Sequence, residues 1–238
     1  MDSVSKKYLI VNADDFGQSR GINRGIIEAH ERGIVTSASL MVRWPAVAEA
    51  AAYSRSNPSL SLGIHIDLGE WKYRDGEWLP FYEVVRLDDE KAVASEILRQ
   101  IEVFRNILGS NPTHIDSHQH VHVKEPARAI LSAISADFGV PLRCLSTSVR
   151  YCGDFYGQST EGRSFPELIT AVRLIDLLVE VHPGVTELGC HPGYVSDLDT
   201  EYREERALEI RALCDPRVRS ALEAAEINLI SFHQVTSS

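Results

Sequence analysis

The chain has 238 residues, with 24 lysines and arginines against 34 aspartates and glutamates, a net charge of −10. Hydrophobic residues make up 44% and charged residues 24%, which excludes an intrinsically disordered chain and allows one domain with a sizeable core. An acidic balance without a basic cluster argues against nucleic acid or an anionic membrane as a partner. The four cysteines, Cys144, Cys152, Cys190 and Cys214, form no C-x-x-C pair and read as reduced thiols in the cytoplasm. Met1 to Tyr8 is polar, and the apolar run Leu9 to Val11 is too short for a signal-peptide core. No stretch approaches the ~20 apolar residues of a membrane span.

Elements alternate along the chain. Tyr8–Ala13 reads as a buried strand and Ser19 to Arg32 as a helix, with Ile22, Ile26, Ile27 and His30 at helical spacing. Ser37–Val42 reads as a second strand, Pro45 opens an alanine-rich helix, and Leu60–Asp67 is a third strand. Leu68 to Val84 breaks the pattern with the turn signal Asp75-Gly76 and the aromatics Trp71, Tyr73, Trp78, Phe81 and Tyr82, and reads as a lid or small hairpin. A long helix follows from Asp88 to Leu108, then a strand at Thr113–Ser117, a helix at 126–138 and a strand at Leu142–Cys144. After a loop over 145–164 come a helix at 165–182, a strand at Thr186–Cys190, helices from Asp199 or Thr200 to Leu213 and from Asp215 to Glu226, and a last strand at Asn228–Ile230. About seven strand–helix repeats predict an α/β fold with a parallel sheet in a single domain. A distorted, TIM-like (β/α) barrel is preferred over an open sheet, because the candidate site residues follow different strands.

Four of the nine histidines fall in His114-Ile115-Asp116-Ser117-His118-Gln119-His120-Val121-His122. In an extended chain, positions 114, 116, 118, 120 and 122 project to one side. Imidazole is a common transition-metal ligand, and such a composition at the end of a parallel strand costs stability unless it binds something. One or two of these histidines would touch a metal, with the rest supporting them or the substrate. Asp14 and Asp15 end the first strand, where one carboxylate can bind a metal while the other acts as a base. His65 ends the third strand. His191, on a Pro-Gly turn after the sixth, could be a general acid. Together they describe a hydrolytic metal site with positions open to water.

These segments resemble the YdjC-like carbohydrate deacetylases, which include chitooligosaccharide deacetylases. The matching pieces are L-I-V-N-A-D-D-F-G-Q-S at 9–19, G-I-V-T-S-A-S-L-M-V at 33–42, G-I-H at 63–65, P-T-H-I-D-S-H-Q-H-V-H at 112–122 and C-H-P-G-Y at 190–194. The resemblance implies a distorted (β/α) barrel that removes acetyl groups from N-acetylated sugars such as chitin-derived disaccharides. It implies a divalent metal, Mg²⁺ with Zn²⁺ or Mn²⁺ as alternatives, held by Asp15, His65 and His118, with Asp14 as general base and His191 as candidate acid. Asp116, His120, His122, Arg43, Trp71 and Arg143 are then expected to contact the substrate or support the site. Trp44, Tyr73 and Trp78 could stack on a sugar ring. Barrels of this kind often self-associate, so a homodimer is an expectation. Two other readings stay open: a metal hydrolase of another amide or of phosphoesters, using Arg43, Arg143 and Arg150, and a non-catalytic sugar- or metal-binding protein.

Overall fold

A computed structural model describes residues 6–235; the first five residues of the polar N-terminal stretch lie outside it. Its centre is β1 (Lys7–Phe16), whose apolar residues Leu9, Ile10, Val11 and Ala13 are all buried. Such a strand must be covered on both faces, which is the situation of a parallel sheet wrapped by helices. β1 pairs in parallel with β2 (Ser37–Leu40), and β2 with β3 (Ser61–Ile66). The hairpin of β4 (Gly69–Arg74) and β5 (Glu77–Glu83) then rises from the end of β3 as a separate antiparallel ribbon. Further along are β6 (Ile115–Ser117), β7 (Val149–Cys152), β8 (Gly184–Cys190) and β9 (Ile227–Leu229). The main sheet runs β6-β3-β2-β1-β8-β7, with β9 also on β1, and all seven strands are parallel.

Helices α1 (Arg20–Glu31), α2 (Val47–Ser56), α3 (Glu90–Leu108), α4 (Ala127–Phe138), α5 (Ala171–Val179), α6 (Glu204–Leu213) and α7 (Pro216–Ala224) connect them. Side-chain caps start four of them where the sequence places cap residues. Ser19 accepts from the Ile22 N–H, Asp89 from Ala92, Thr170 from Arg173 and Asp215 from Arg217. The Thr170 cap shortens the helix expected over 165–182, because Thr170 is extended and a separate 3₁₀ turn (Pro166–Ile169) precedes it. α6 begins at Glu204 rather than at Asp199 or Thr200.

The sheet curls into a half-barrel, and β6 and β7 are its edges. Segment 141–148 spans the gap between them. It touches the β6 edge through Ile115 N–H to the Pro141 carbonyl (2.9 Å) and Arg143 N–H to the Ile115 carbonyl (3.0 Å). The strand expected at Leu142–Cys144 is therefore only a single bridge, Ile115 with Leu142. Cys144 sits at φ 63°, a left-handed conformation that ends any ladder. The seventh parallel strand is instead Val149–Cys152, inside the segment expected to be a loop, with Val149 in register with Val185.

Candidate metal centre and cleft

Inside the curled sheet the inward side chains are polar. Arg143 is 3% exposed and reaches three carboxylates. Its guanidinium donates to both oxygens of Asp14 (2.6 and 2.7 Å), lies 2.8 Å from Asp116 Oδ2, and donates to Glu187 (2.8 Å). Asn12 Nδ2 donates to Asp14 (2.9 Å) and to Ser39 Oγ (2.8 Å), and Ser39 donates to Asp116 (2.6 Å). Three carboxylates around one guanidinium make a strongly charged interior. Burial and the nearby Asp116 oppose ionisation of Asp14, but Arg143 and His65 together hold the carboxyl below the usual range. Burial pushes Glu187 up to about 7 in spite of Arg143.

The histidine run does not stay extended. β6 ends at Ser117, and residues 118–123 form a 3₁₀ turn in which Gln119 (φ 50°) and His120 (φ 53°) are left-handed. The one-sided display expected of 114, 116, 118, 120 and 122 is therefore replaced by two levels. His114 points into the interior, stacked on Phe232 at 3.8 Å and 3.0 Å from Ser39 Oγ, and a Cβ on Gly63 would collide with its ring. Asp116 is buried beneath the site. His122 spends both ring nitrogens, on Ser117 Oγ (2.6 Å) and the Arg143 carbonyl (3.0 Å). A second histidine cluster, His120, His122 and Cys144, therefore falls short of a free ligand set.

At the strand ends Asp15, His65 and His118 bring their ligand atoms within 4.8 Å of one another. Asp15 sits at φ 69°, which turns its carboxylate away from that of Asp14. His65 Nδ1 is 2.8 Å from Asp116, leaving Nε2 facing Asp15 Oδ1 at 3.4 Å. A carboxylate behind an imidazole is the arrangement that orients a metal-binding histidine. His118 Nδ1 lies 3.2 Å from the same Asp15 oxygen, and its Nε2 lies 3.5 Å from Glu70. Arg206, from α6, takes the other Asp15 oxygen at 2.6 Å. Burial opposes charge on all three, yet the surrounding ions win: Asp15 falls well below its usual range through Arg206 and the histidines, His65 rises well above through Asp116 and Asp14, and His118 is pushed up to about 9 by Asp15 and Glu70. Asp15 Oδ1 and His118 Nε2 are nevertheless buried without a hydrogen-bond partner among the described residues. One carboxylate and two imidazoles, with two orphaned atoms in an anionic setting, fit a divalent cation.

These residues lie at the floor of a cleft of about 870 Å³. Trp71, Tyr73 and Trp78 of the hairpin line one side. Gln119 fixes this wall by a two-way bond to the Trp71 backbone (2.9 and 2.8 Å). Tyr151, Tyr156 and Tyr202 line other parts of the cleft, as do Asp14, His120 and His191. His191 Nε2 is 3.7 Å from Asp14 Oδ2, and burial pushes its pKa down to about 4. Four of the residues expected to contact substrate or support the site do not line the cleft. Asp116, His122 and Arg143 lie beneath its floor. Arg43 is paired with Asp67 (2.9 Å) and Glu96 (3.3 Å). Trp44 is likewise turned away and donates to Asp67 (3.0 Å). Glu70, Tyr156, Tyr202, Arg206 and Glu209 carried no sequence pattern. Only the fold singles them out: α6 buries Glu205, Arg206 and Glu209, which a surface helix does not do, and Glu70, Tyr156 and Tyr202 come to the cleft from other segments.

Residues 8–224 match the family model for YdjC-like proteins. A carbohydrate deacetylase of Geobacillus stearothermophilus is 31% identical over 96% of this chain and 98% of its own length. A chitooligosaccharide deacetylase of Klebsiella pneumoniae is 31% identical over 97% of this chain and 100% of its own. Among solved structures, an Enterococcus faecalis protein assigned to cellobiose-phosphate cleavage superposes with a TM-score of 0.78 at 26% identity, over 98% of this chain and 100% of that one. A family 4 carbohydrate esterase of Streptomyces lividans shares the fold, with a TM-score of 0.57 at 12% identity over 99% and 98% of the two chains. On the extent of the family match and of these relatives, the chain belongs to the YdjC-like protein family.

Proposed function

We propose that this chain is a metal-dependent carbohydrate N-deacetylase that releases acetate from small N-acetylated oligosaccharides such as diacetylchitobiose. The observation that carries this is the pair of orphaned buried atoms, Asp15 Oδ1 and His118 Nε2, on the floor of a cleft walled by aromatic rings. The names of the relatives at 31% identity point the same way. Asp15, His65 and His118 would hold a divalent ion, with Mg²⁺, Zn²⁺ or Mn²⁺ suiting the donor set. Bound there, it would polarise an acetamide carbonyl and lower the pKa of nearby water.

The chain's own groups supply the rest. Asp14 is ionised and locked by the Arg143 fork, so it presents a fixed acceptor for the proton of the attacking water. His191 is neutral at the start, because burial lowers its pKa. It can give a proton to the departing amine only after receiving one, and Asp14, 3.7 Å away, is the neighbouring source. Trp71, Tyr73 and Trp78 offer flat apolar faces to the C–H surfaces of sugar rings. The reading includes a cytoplasmic setting. No described helix is long and apolar enough to cross a membrane. A homodimer is included too, with the exposed Val172 and Val179 as its first candidate surface; light scattering in solution checks it.

The phosphoester reading loses its arginines. Arg43 and Arg143 are committed to carboxylates, and Arg150 is exposed on β7 away from the cleft lining. The test is acetate release from diacetylchitobiose after chelator stripping and return of Mg²⁺, Zn²⁺ or Mn²⁺ in turn. Restored acetate is expected. Silence with every ion, on this and other N-acetylated sugars, would sink the reading.

A further inference from the structure

α6 is an anomaly among the helices. It buries Glu205, Arg206 and Glu209 at 5%, 3% and 0% exposure, where a helix packed on a sheet would bury apolar side chains. Buried charges persist when they are paired or hydrogen-bonded, so the partners show what the helix is for. The Glu209 carboxylate accepts from the backbone N–H of His191 and from the Tyr202 hydroxyl, each at 2.5 Å. Tyr202 in turn accepts from the Gly157 N–H (2.9 Å), and its ring stacks on Tyr156 with centroids 4.6 Å apart. Both rings pack edgewise on the His191 imidazole, at 5.2 Å (Tyr156) and 5.7 Å (Tyr202). The same helix holds the turn at two further points: Gly193 N–H donates to the Arg206 carbonyl (3.3 Å), and Arg206 Nη1 donates to the His191 carbonyl (3.3 Å).

We infer that Glu209 is a positioning residue for the reaction: it fixes the His191 turn and, through Tyr202, the two-ring wall that aims the imidazole at Asp14. The inference rests on the deacetylase reading for its kinetic arm only. Glu209 does not line the cleft, so it acts through His191 and not on substrate. Among the described residues the imidazole itself has no side-chain hydrogen bond to anchor it. Its Nδ1 is buried and unpaired, and its Nε2 is 3.7 Å from Asp14, beyond hydrogen-bond reach. Backbone tethering and ring packing are therefore what hold it.

The test compares the metal-loaded wild type with E209Q, E209D and Y202F. Gln keeps one acceptor oxygen for the His191 N–H but offers Tyr202 an amide. Asp is too short to serve both donors at once. We expect kcat to fall about tenfold or more in E209D and less in E209Q and Y202F, with KM within about twofold of wild type. Mn²⁺ affinity should stay unchanged, because Glu209 touches no residue of the Asp15 cluster. In ¹⁵N–¹H spectra of the full chain, the His191 ring resonance should move and broaden in all three variants while that of His114 stays in place. This spectral arm needs no activity, so a wild type that releases no acetate would defeat the deacetylase reading and leave this one testable. The inference is overturned if the His191 resonance is unmoved in folded E209D and E209Q. It is also overturned if kcat falls only in step with loss of folded protein.

Discussion

Asp14 and Asp15 are neighbours in sequence and opposites in environment. Both are buried, at 3% and 1% exposure. Asp14 points into the barrel, where Arg143 and Asn12 occupy both of its oxygens. Asp15 turns to the rim, where Arg206 takes one oxygen and the other faces two histidines without a hydrogen bond. The same division separates the two regions. The interior set of Arg143, Asp14, Asp116, Glu187, Ser39 and His114 is cross-linked by short bonds, with Asn12 Oδ1 left over beside it, while Asp15, His118 and His191 on the rim each keep an atom unpartnered among the described residues. A buried polar network that is satisfied acts as scaffold, and one left open is waiting for a ligand. The rim is therefore where a ligand belongs, and the interior holds it still while presenting Asp14, which also lines the cleft, as the fixed base.

The comparison breaks most visibly at Arg143. Arg143→Met leaves Asp14 and Glu187 without their guanidinium and Asp116 with His65 alone. A loss of about 3–5 kcal/mol is expected for breaking such a buried pair, read as a lower urea midpoint or as failure to fold. A change under about 1 kcal/mol would show that the interior is not the scaffold. On the rim the balance reverses. His118→Ala removes a side chain whose ion pairs, to Asp15 at 3.2 Å and Glu70 at 3.5 Å, are longer than those of Arg143, so the loss of stability should be smaller than in Arg143→Met while acetate release falls by at least ~10²-fold. Paired melting curves and acetate assays check both halves of that statement.

pH sharpens the same contrast. His114 is buried neutral, its pKa pushed down to about 3 by burial. Between that value and its ordinary 6.5 the unfolded chain takes up a proton and the folded chain does not. Its contribution to stability is thus complete above 6.5 and is lost as pH falls toward 3. His114→Gln should flatten the acid limb of the stability profile by up to about 1.4 kcal/mol per pH unit, measured by urea titration at several pH values. The smallest effect belongs to the hairpin. Trp78 is 53% exposed and lines the cleft, so Trp78→Ala should raise KM a few-fold, about 1 kcal/mol, with kcat nearly unchanged.

Much of this was legible in the sequence. The alternation of strands and helices and the hairpin after β3 follow from apolar runs and turn residues, and strand ends place Asp14, Asp15, His65, the 114–122 histidines and His191 on one side of the sheet; the choice of Asp15, His65 and His118 among them rests on the resemblance to the family. The losses have local causes. Strict alternation over 114–122 assumed an extended chain, but Gln119 and His120 enter left-handed conformations that no pattern marks. Leu142–Cys144 reads as a short strand, but Cys144 bends the chain and Arg143, its charged middle residue, serves the interior. Arg43 is expected among the groups that contact or support the substrate site, and Trp44 as a stacking face for a sugar ring. They turn instead to Asp67, which also accepts from the Tyr82 hydroxyl (3.0 Å) and anchors the base of the hairpin. Arg206 and Glu209 are 191 and 18 residues from their partners Asp15 and His191, a pairing that only the folded chain makes.

Calorimetric titration of Mn²⁺ into the chelator-stripped chain tests the open rim most directly. The account predicts one ion per chain in the wild type and in His120→Ala, and none in His118→Ala. Binding that survives intact in His118→Ala, or that disappears in His120→Ala, would contradict it.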